Sequence, residues 1–291
     1  MRIEALTVLG SGALLGAAVA PYQGKNTGEC ALMRKLLPHL KEGDILLGDA
    51  IFENFFLISR LQIGKADIVF EKNGARHLDF RKCDRKLGKK DGLISLKKPP
   101  CPDWMKRDYY EKWVPDELTV RIVKSKKRTI VTTLLDAAEY PRREIVSLYQ
   151  ERWHIELDFR SIKDLMKMDI LRCKTPEMVR KEISVHLLVY NLIRALMARA
   201  AVELKNSPRK LSFKAAQETI QEFHVLLLLG RYYKLDQLVE SMIMIAAEHK
   251  VGNRPGRQEP RAVKRRPKPY KRLQHSRTQA RKLKEYQRGK A

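Results

Sequence analysis

The stretch that decides the fold is YQERWHIELDFRSIK, which begins at Tyr149 and ends at Lys163. Its residues Tyr149, Arg152, Glu156 and Lys163 stand at offsets of 0, 3, 7 and 14. At about 100° per residue of α-helix, these positions fall in a wedge of roughly 60° on one face. One carboxylate is therefore surrounded on its own face by arginine, lysine and tyrosine. The alternative interpretation is a solvated, salt-bridged face, which charge-rich helices often show.

The helix that carries this stretch is predicted to run from Arg142 to about Met166, since Pro141 is a favourable first-turn residue. Arg160 falls at about 20° on the same helical wheel and therefore joins the wedge. The face thus offers several cations beside a single acid.

The net charge of the chain indicates the kind of partner that it binds. The 291 residues include 59 Lys and Arg against 34 Asp and Glu, a formal net charge of +25. Such an excess repels itself unless a polyanion neutralises it, so nucleic acid is the expected partner, with a generic basic protein as the alternative. The four cysteines are far apart in sequence and show no Cys-x-x-Cys pair. Neither a zinc site nor a disulfide framework is indicated, which favours a reduced, cytoplasmic protein.

The apolar segment ALTVLGSGALLGAAVA, residues 5–20, has two interpretations. It resembles a signal peptide in composition, and as such would imply a secreted basic protein. However, the glycines at 10 and 12 interrupt the apolar run at its centre, and the stretch is too short to span a bilayer. A β-hairpin with strands at 3–9 and 13–20 is the favoured prediction, with no membrane partner.

Asp49 stands where a short buried strand, Ile45–Leu47, is predicted to end. A helix is expected to follow from Ile51 to about Leu61. Taken alone, Asp49 is better explained as a helix cap than as a functional acid.

The residue pattern of the rest of the chain changes twice. Between 64 and 136, β-type runs alternate with Gly, Pro and Lys clusters, which predicts a β-rich insertion. From Pro141 to about Lys250 the pattern is helical, with Thr175 and Pro176 opening one helix and two more expected near 212–229 and 232–249. The β-type runs are Ala66–Glu71, Leu93–Lys97, Leu118–Lys124 and Thr129–Leu134. The helix after Pro176 carries an apolar stripe suited to burial, formed by Val185, Leu188, Val189, Leu192, Ile193 and Leu196.

The spacing Tyr-x2-Arg-x3-Glu-x6-Lys resembles the signature of DDE transposases of the IS-four group of bacterial insertion sequences. The segments GKNTGE (24–29), GDILLGDAIF (43–52) and LRCKTPEMVRKE (171–182) agree with it. The resemblance covers nearly the whole chain. It implies an α/β, ribonuclease-H-like mixed sheet in which two Asp and one Glu hold two Mg²⁺ ions, with Mn²⁺ as a possible substitute.

The resemblance also assigns roles to residues. Asp49 matches the second acid and Glu156 the third, so both are expected to be catalytic metal ligands. Arg152 and Lys163 are expected to bind phosphates beside the scissile bond, with Arg160 on the same face, and Tyr149 to contact the DNA end. Hard cations favour such carboxylate oxygens, and a metal pair can activate the attacking oxygen and stabilise the leaving one.

Domains and partners follow from the same resemblance. Double-stranded DNA, as transposon ends and target, is the expected partner, with a possible homodimer on DNA in the nucleoid of the cytoplasm. The expected parts are a ribonuclease-H-like core at 1–63 and 137–205, a β-rich insertion at 64–136, C-terminal helices at 206–250 and a disordered basic tail at 251–291.

The first acid of the family pattern has no match. Relatives carry it on a strand upstream of the region matched by residues 3–20, yet no Asp occurs before Asp44, which belongs with the second-acid motif. We therefore expect a truncated copy that lacks the strand between 3–9 and 45–48, with unpaired edges on both neighbours. The resulting alternative to an active transposase is a catalytically inactive, DNA-binding remnant.

Aromatic residues give weaker signals. Trp104 and Trp113 lie in the insertion, where some relatives use an aromatic to hold a flipped base. Trp153 could stack on DNA, although an aromatic in a long helix is more often part of the core. The sequence favours none of the three as a site residue.

Overall fold

The computed structural model describes residues 1–75, 80–126, 128–229 and 234–252, together with residues 276, 278, 279 and 282. Residues 1–251 form one compact unit and residues 252–291 a second. The predicted basic tail lies almost entirely outside the described residues.

The first two strands form an antiparallel hairpin, as the sequence predicts. Strand β1 (Arg2–Thr7) pairs with strand β2 (Leu14–Ala20). In the connecting turn Gly12 has a φ of +76°, and a Cβ atom there would lie 2.8 Å from Arg209 and 2.9 Å from Arg194. Both the backbone conformation and the close packing therefore require glycine at this position.

A six-stranded mixed sheet forms the second β element, in the order β3-β4-β8-β7-β6-β5. Strands β3 and β4 are parallel, whereas the other four neighbouring pairs are antiparallel. This confirms a mixed α/β fold. The strands are β3 (Ile45–Gly48), β4 (Asp67–Glu71), β5 (Arg85–Gly88), β6 (Asp91–Lys97), β7 (Glu117–Lys124) and β8 (Thr129–Thr132).

The predicted β-rich segment at 64–136 belongs to this same sheet. Its four predicted runs coincide with β4, β6, β7 and β8, and β4 pairs directly with β3. The buried Arg121 on β7 helps to hold the segment, since its guanidinium donates to both carboxylate oxygens of Asp91, at 2.8 and 2.6 Å. The strands at 64–136 therefore extend the core sheet and do not form a separate sheet.

Helices cover the sheet and build the C-terminal part. Helices α1 and α2 pack with the six-stranded sheet in one hydrophobic core, and α6, α7 and α8 pack with the hairpin in another. The helices are α1 (Glu29–Leu36), α2 (Phe55–Ile63), α3 (Arg107–Trp113), α4 (Arg142–Glu151), α5 (His154–Arg160), α6 (Pro176–Glu203), α7 (Phe213–Leu228) and α8 (Leu235–Glu248).

Two predicted helix boundaries are wrong. The helix expected from Arg142 to Met166 is interrupted after α4, and α5 runs into a π-helical turn at Ser161–Leu165. Helix α2 begins four residues later than predicted because the Asn54 side chain caps it, accepting a hydrogen bond from the Leu57 amide at 2.9 Å.

The start of α6 agrees with the prediction, since the Thr175 hydroxyl accepts from the Met178 amide at 3.4 Å. Its predicted buried stripe is largely wrong. Ile193 and Leu196 are buried, but Val185, Leu188, Val189 and Leu192 are exposed. The helix instead packs through the face of Ile183, Tyr190 and Met197, because α8 and the hairpin contact that side. By length and composition, α6 is also the one helix in the described part that could cross a membrane, although that test also accepts core helices.

A buried carboxylate connects the hairpin to the helices. Asp158 on α5 is 1% exposed and accepts hydrogen bonds from Arg194 on α6 at 2.5 Å and from Arg209 at 2.5 and 3.0 Å. Arg209 also donates to the carbonyl of Leu9 at 2.9 Å, and Tyr190 donates to that of Gly12 at 2.8 Å. This Asp158 network therefore fixes α5 relative to the turn of the hairpin.

Replacing Asp158→Asn is expected to lower the free energy of unfolding by about 3–5 kcal/mol, because the buried guanidinium of Arg194 and the mostly buried one of Arg209 lose their shared counterion. Urea unfolding followed by circular dichroism measures the change. The matched control is Asp164→Asn, whose exposed carboxylate lies 3.5 Å from Arg160 and should contribute less than about 1 kcal/mol. Similar losses in both variants would contradict the role of the Asp158 network.

Candidate functional site

The free edges of β1 and β3 face each other across a cleft of about 500 Å³. Residues 3–9 line one side, and residues 44–49 line the other. In the described part of the chain, β1 pairs with β2 and β3 with β4, and no strand lies between β1 and β3. The cleft therefore lies between two strand edges that pair with no other strand in the described part of the chain.

Asp49 follows β3 directly and lines this cleft. One of its carboxylate oxygens accepts a hydrogen bond from the Ile51 amide at 3.1 Å, and the other makes no hydrogen bond within the described residues. Asp49 thus stabilises the turn before α2, whereas Asn54 caps that helix. The second oxygen remains available to a ligand in the cleft.

Three further carboxylates line the cleft: Glu4 on β1, Glu29 on α1 and Asp44 just before β3. Burial, followed by repulsion from Glu29 and Asp49, raises the pKa of Glu4 to about 7, against the opposing effect of Arg2. Glu4 was not among the predicted site residues. The sequence feature that could have identified Glu4 is an acidic residue within a mostly apolar hairpin strand.

Arg152 places a cation on the helical side of the cleft. Its side chain is mostly buried, and its Nε atom has no hydrogen-bond partner within the described residues. One terminal nitrogen lies 3.9 Å from a carboxylate oxygen of Glu156. Because buried polar atoms are nearly always paired in native proteins, an anionic ligand is a natural partner for this guanidinium.

Glu156 lies at the margin of the cleft. Its side chain is half exposed, and its neighbours Ile155 and Phe159 line the cleft. The structure thus brings Asp49 and Arg152 into one cleft, with Glu156 beside Arg152. Among the described residues, no group of three or more His, Cys, Asp or Glu side chains is placed to hold a metal ion.

Arg152 also lines a second cavity, of about 690 Å³, on the other side of α4 from the cleft residues of β1 and β3. Four more cations and the half-exposed Trp153 line it, and we call it the basic cavity. These four cations are Lys126, Arg128, Arg142 and Arg143. Trp153 is therefore not a core residue.

Tyr149 is buried against the sheet, in a small core with Val69 and Ile130. Its hydroxyl donates to a carboxylate oxygen of Glu71 at 3.0 Å, and Arg128 lies 2.5 Å from the same oxygen. Burial is the main cause that raises the pKa of Tyr149. The hydroxyl of Tyr149 therefore positions Glu71 and Arg128, while the side chain of Tyr149 also lines the basic cavity.

Arg160 and Lys163 are exposed and line neither cavity. Arg160 lies 3.5 Å from Asp164, and the Lys163 ammonium lies 5.4 Å from the Phe159 ring centre. Lys163 stands in the π-helical turn, so the angular spacing of a regular helix does not apply to it.

The geometry can be compared with known proteins. The sequence profile of the transposase DDE domain matches residues 1–192. The chain belongs to the DDE transposase family. This match and the relatives described next confirm the predicted resemblance to the IS-four group of this family.

The relatives are transposases of insertion sequences. The chain is 34% identical over 208 residues to the transposase InsG for insertion sequence element IS4 of Escherichia coli strain K12, covering 68% of this chain and 45% of that protein. It is 38% identical over 64 residues to the transposase for element IS421 and to the putative transposase InsL for element IS186A, both of Escherichia coli. Those matches cover 22% of this chain and 17% of each relative. The chain therefore spans less than half the length of the curated relatives it matches.

DDE transposases generally use divalent metal ions. The carboxylate of Asp49, with one oxygen that makes no hydrogen bond in the described part, and the exposed carboxylate of Glu156 are donors of the type that hard cations prefer. The described residues bring no third ligand to them, so they fit part of such a site and do not complete it.

The pKa of Glu4 generates a stability prediction. Its folded value of about 7 lies above the ordinary value of 4.5, so its contribution to stability is present below about pH 4.5 and is lost as the pH rises through 7. Glu4→Gln should therefore stabilise the protein at pH 8 by about 1–3 kcal/mol and have little effect near pH 4.5.

Urea midpoints of both proteins at pH 5 and pH 8 measure this difference. Glu42→Gln is the matched control, because Glu42 is exposed and pairs with Lys65 at 2.8 Å. A Glu4 variant that follows the parent at both pH values would show that the Glu4 carboxylate is not buried among like charges.

Proposed function

We propose that this chain is part of an insertion-sequence transposase that binds transposon ends and carries residues for DNA strand cleavage and transfer. The cleft supports this proposal most directly, because it brings together Asp49 and Arg152, whose Nε atom has no hydrogen-bond partner within the described residues, beside Glu156. An acid that can hold a metal ion and a cation that can hold a phosphate are both needed beside a phosphodiester.

Asp49 and Glu156 are the proposed metal ligands, for Mg²⁺ or Mn²⁺. A bound pair of such ions would activate the attacking oxygen and stabilise the leaving oxygen of the phosphodiester. The protein contributes orientation: β3 fixes Asp49 at its end, and the Asp158 network fixes α5 and therefore Glu156.

The basic cavity is the proposed binding surface for the DNA backbone. Five cations line it, and Arg152 belongs both to this cavity and to the cleft. A strand bound there would be held next to the acids. Tyr149 acts indirectly, since it positions Glu71 and with it Arg128. Arg160 and Lys163, on the exposed surface of the same helical segment, would extend the contact with the duplex.

The first acid of the family pattern is proposed to come from a strand that occupies the cleft. Both edges that line it are unpaired in the described structure, and a strand between them would join the hairpin to the six-stranded sheet. A residue on such a strand would lie between Asp49 and the hairpin. The likeness to DDE transposases suggests an aspartate at that position.

A second candidate function is DNA binding without catalysis. The observation that favours it is the incomplete set of metal ligands in the described residues. Both candidates share double-stranded DNA as partner, and a homodimer on DNA and a location in the cytoplasmic nucleoid are compatible with either.

The two proposed roles can be separated by substitution. Glu156→Gln should weaken Mn²⁺ binding by roughly tenfold or more while leaving binding to a transposon end nearly unchanged at low salt. Arg152→Ala should do the reverse and weaken binding to the DNA end by roughly tenfold, since it removes a charge-assisted contact.

Paramagnetic resonance of free Mn²⁺ measures the first effect, and fluorescence anisotropy of labelled DNA measures the second. Asp164→Asn is the matched control, as an exposed acid on the turn that follows α5. If Glu156→Gln binds Mn²⁺ as well as the parent and the control do, the metal assignment is wrong.

A further inference from the structure

A second cluster of cations lies outside the cleft and the basic cavity. Residues from α1, from α2 and from the segment after β6 meet at a cavity of about 550 Å³, and the lining residues include no carboxylate. Four of these residues are cationic, namely Arg34, Lys35, Arg60 and Lys106. We call this cluster, together with Trp104 at its centre, the Trp104 surface.

Trp104 holds one of these cations in place. The guanidinium carbon of Arg34 lies 3.8 Å from the centre of the Trp104 ring, which is a stacking distance. The edge of Phe56 also contacts this ring, with the centroids 5.9 Å apart and the planes at 88°. A stacked guanidinium keeps its N–H donors directed outward in its own plane, where they can reach phosphate oxygens.

The cations of this surface have no acidic partners within the described part of the chain. No ion pair or side-chain hydrogen bond joins Arg34, Arg60 or Lys106 to a carboxylate there. Burial is the main cause that lowers the pKa of Arg34; Cys30 opposes this shift, and the positive charge of Arg60 adds a smaller lowering effect. Elsewhere in the described structure, lysines such as Lys65 and Lys181 do pair with carboxylates, at 2.8 Å each. The Trp104 surface therefore concentrates uncompensated positive charge.

From this geometry we propose that the Trp104 surface binds the phosphate backbone of double-stranded DNA, outside the site that carries Asp49 and Glu156. The cations come from three separate segments, and together they form an extended surface that can contact several phosphates. Arg34 stacks on the Trp104 ring and Phe56 lies nearly perpendicular to it, so Trp104 holds Arg34 in place while the cations make the proposed contacts with the ligand. Backbone contacts of this kind bind DNA without reading its sequence.

This inference rests on the proposed function only in taking DNA as the polyanion. It adds a second contact region to the basic cavity, so that one DNA-bound protein can hold a duplex at two places. An acidic protein segment is the competing partner, and binding to a polyglutamate peptide distinguishes it from DNA.

The test replaces three exposed cations in the full chain, as Lys35→Gln, Arg60→Gln and Lys106→Gln together. The control replaces Lys65, Lys181 and Lys214 by Gln, which removes the same net charge from lysines that pair with Glu42, Glu177 and Glu218. Fluorescence anisotropy with a labelled duplex of random sequence, without divalent metal, gives affinity at several salt concentrations. Circular dichroism verifies that both variants are folded.

The surface variant should show a salt dependence shallower by about 2–3 in log–log slope, because about three phosphate contacts are lost. Its affinity at 0.1 M salt should fall by roughly tenfold or more, whereas the control slope should change by less than about one. Equal slopes for the two variants would overturn the proposal. So would an unchanged DNA slope combined with lost binding to a polyglutamate peptide, which would indicate an acidic protein partner. Since no metal is present, the result does not depend on whether the chain cleaves DNA.

Discussion

The candidate site depends on the buried carboxylate of Asp158. It is shared by two guanidinium groups, one on α6 and one on the turn that follows α6, and these groups also reach the hairpin. Glu156 precedes Asp158 by two residues, so the network that holds α5 also positions Glu156 relative to β1. Desolvation offsets much of the attraction in a buried ion pair. We therefore infer that the main effect of this network is to fix the relative positions of α5, α6 and the hairpin, and that its contribution to net stability is smaller.

Around this arrangement, the charges separate by sign. Carboxylates of Glu4, Glu29, Asp44 and Asp49 line the cleft, and repulsion from Glu29 and Asp49 contributes to the raised pKa of Glu4. Cations line the helical side, the basic cavity and the Trp104 surface. A divalent cation would relieve the repulsion among the carboxylates of the cleft. A polyanion would relieve the repulsion among the cations of the basic cavity and the Trp104 surface. The free edges of β1 and β3 add an open position for a strand at the boundary between the hairpin and the sheet.

Local patterns in the sequence were sufficient for several elements. The glycines at 10 and 12 predicted the hairpin, and the short apolar run before Asp49 predicted β3. Side-chain environment was harder to predict. Helical spacing places Tyr149 and Arg152 on one face but does not show that the sheet covers Tyr149. The long helix α6 has apolar residues on more than one face, so its periodicity did not identify the buried one. The Trp104 surface joins segments about 70 residues apart, which no local pattern reveals.

We propose that the cleft between β1 and β3 forms part of a metal-dependent DNA-processing site. The most direct measurement is cleavage of labelled DNA carrying the end of the cognate element, with Mg²⁺ or Mn²⁺. The assay compares this chain with a version extended ahead of Arg2 by a β-strand that bears an aspartate. The account predicts DNA binding by both, cleavage by the extended version alone, and loss of that cleavage in Glu156→Gln. Cleavage by the present chain that Glu156→Gln abolishes would contradict the account, since all the required acids would then lie within residues 1–291.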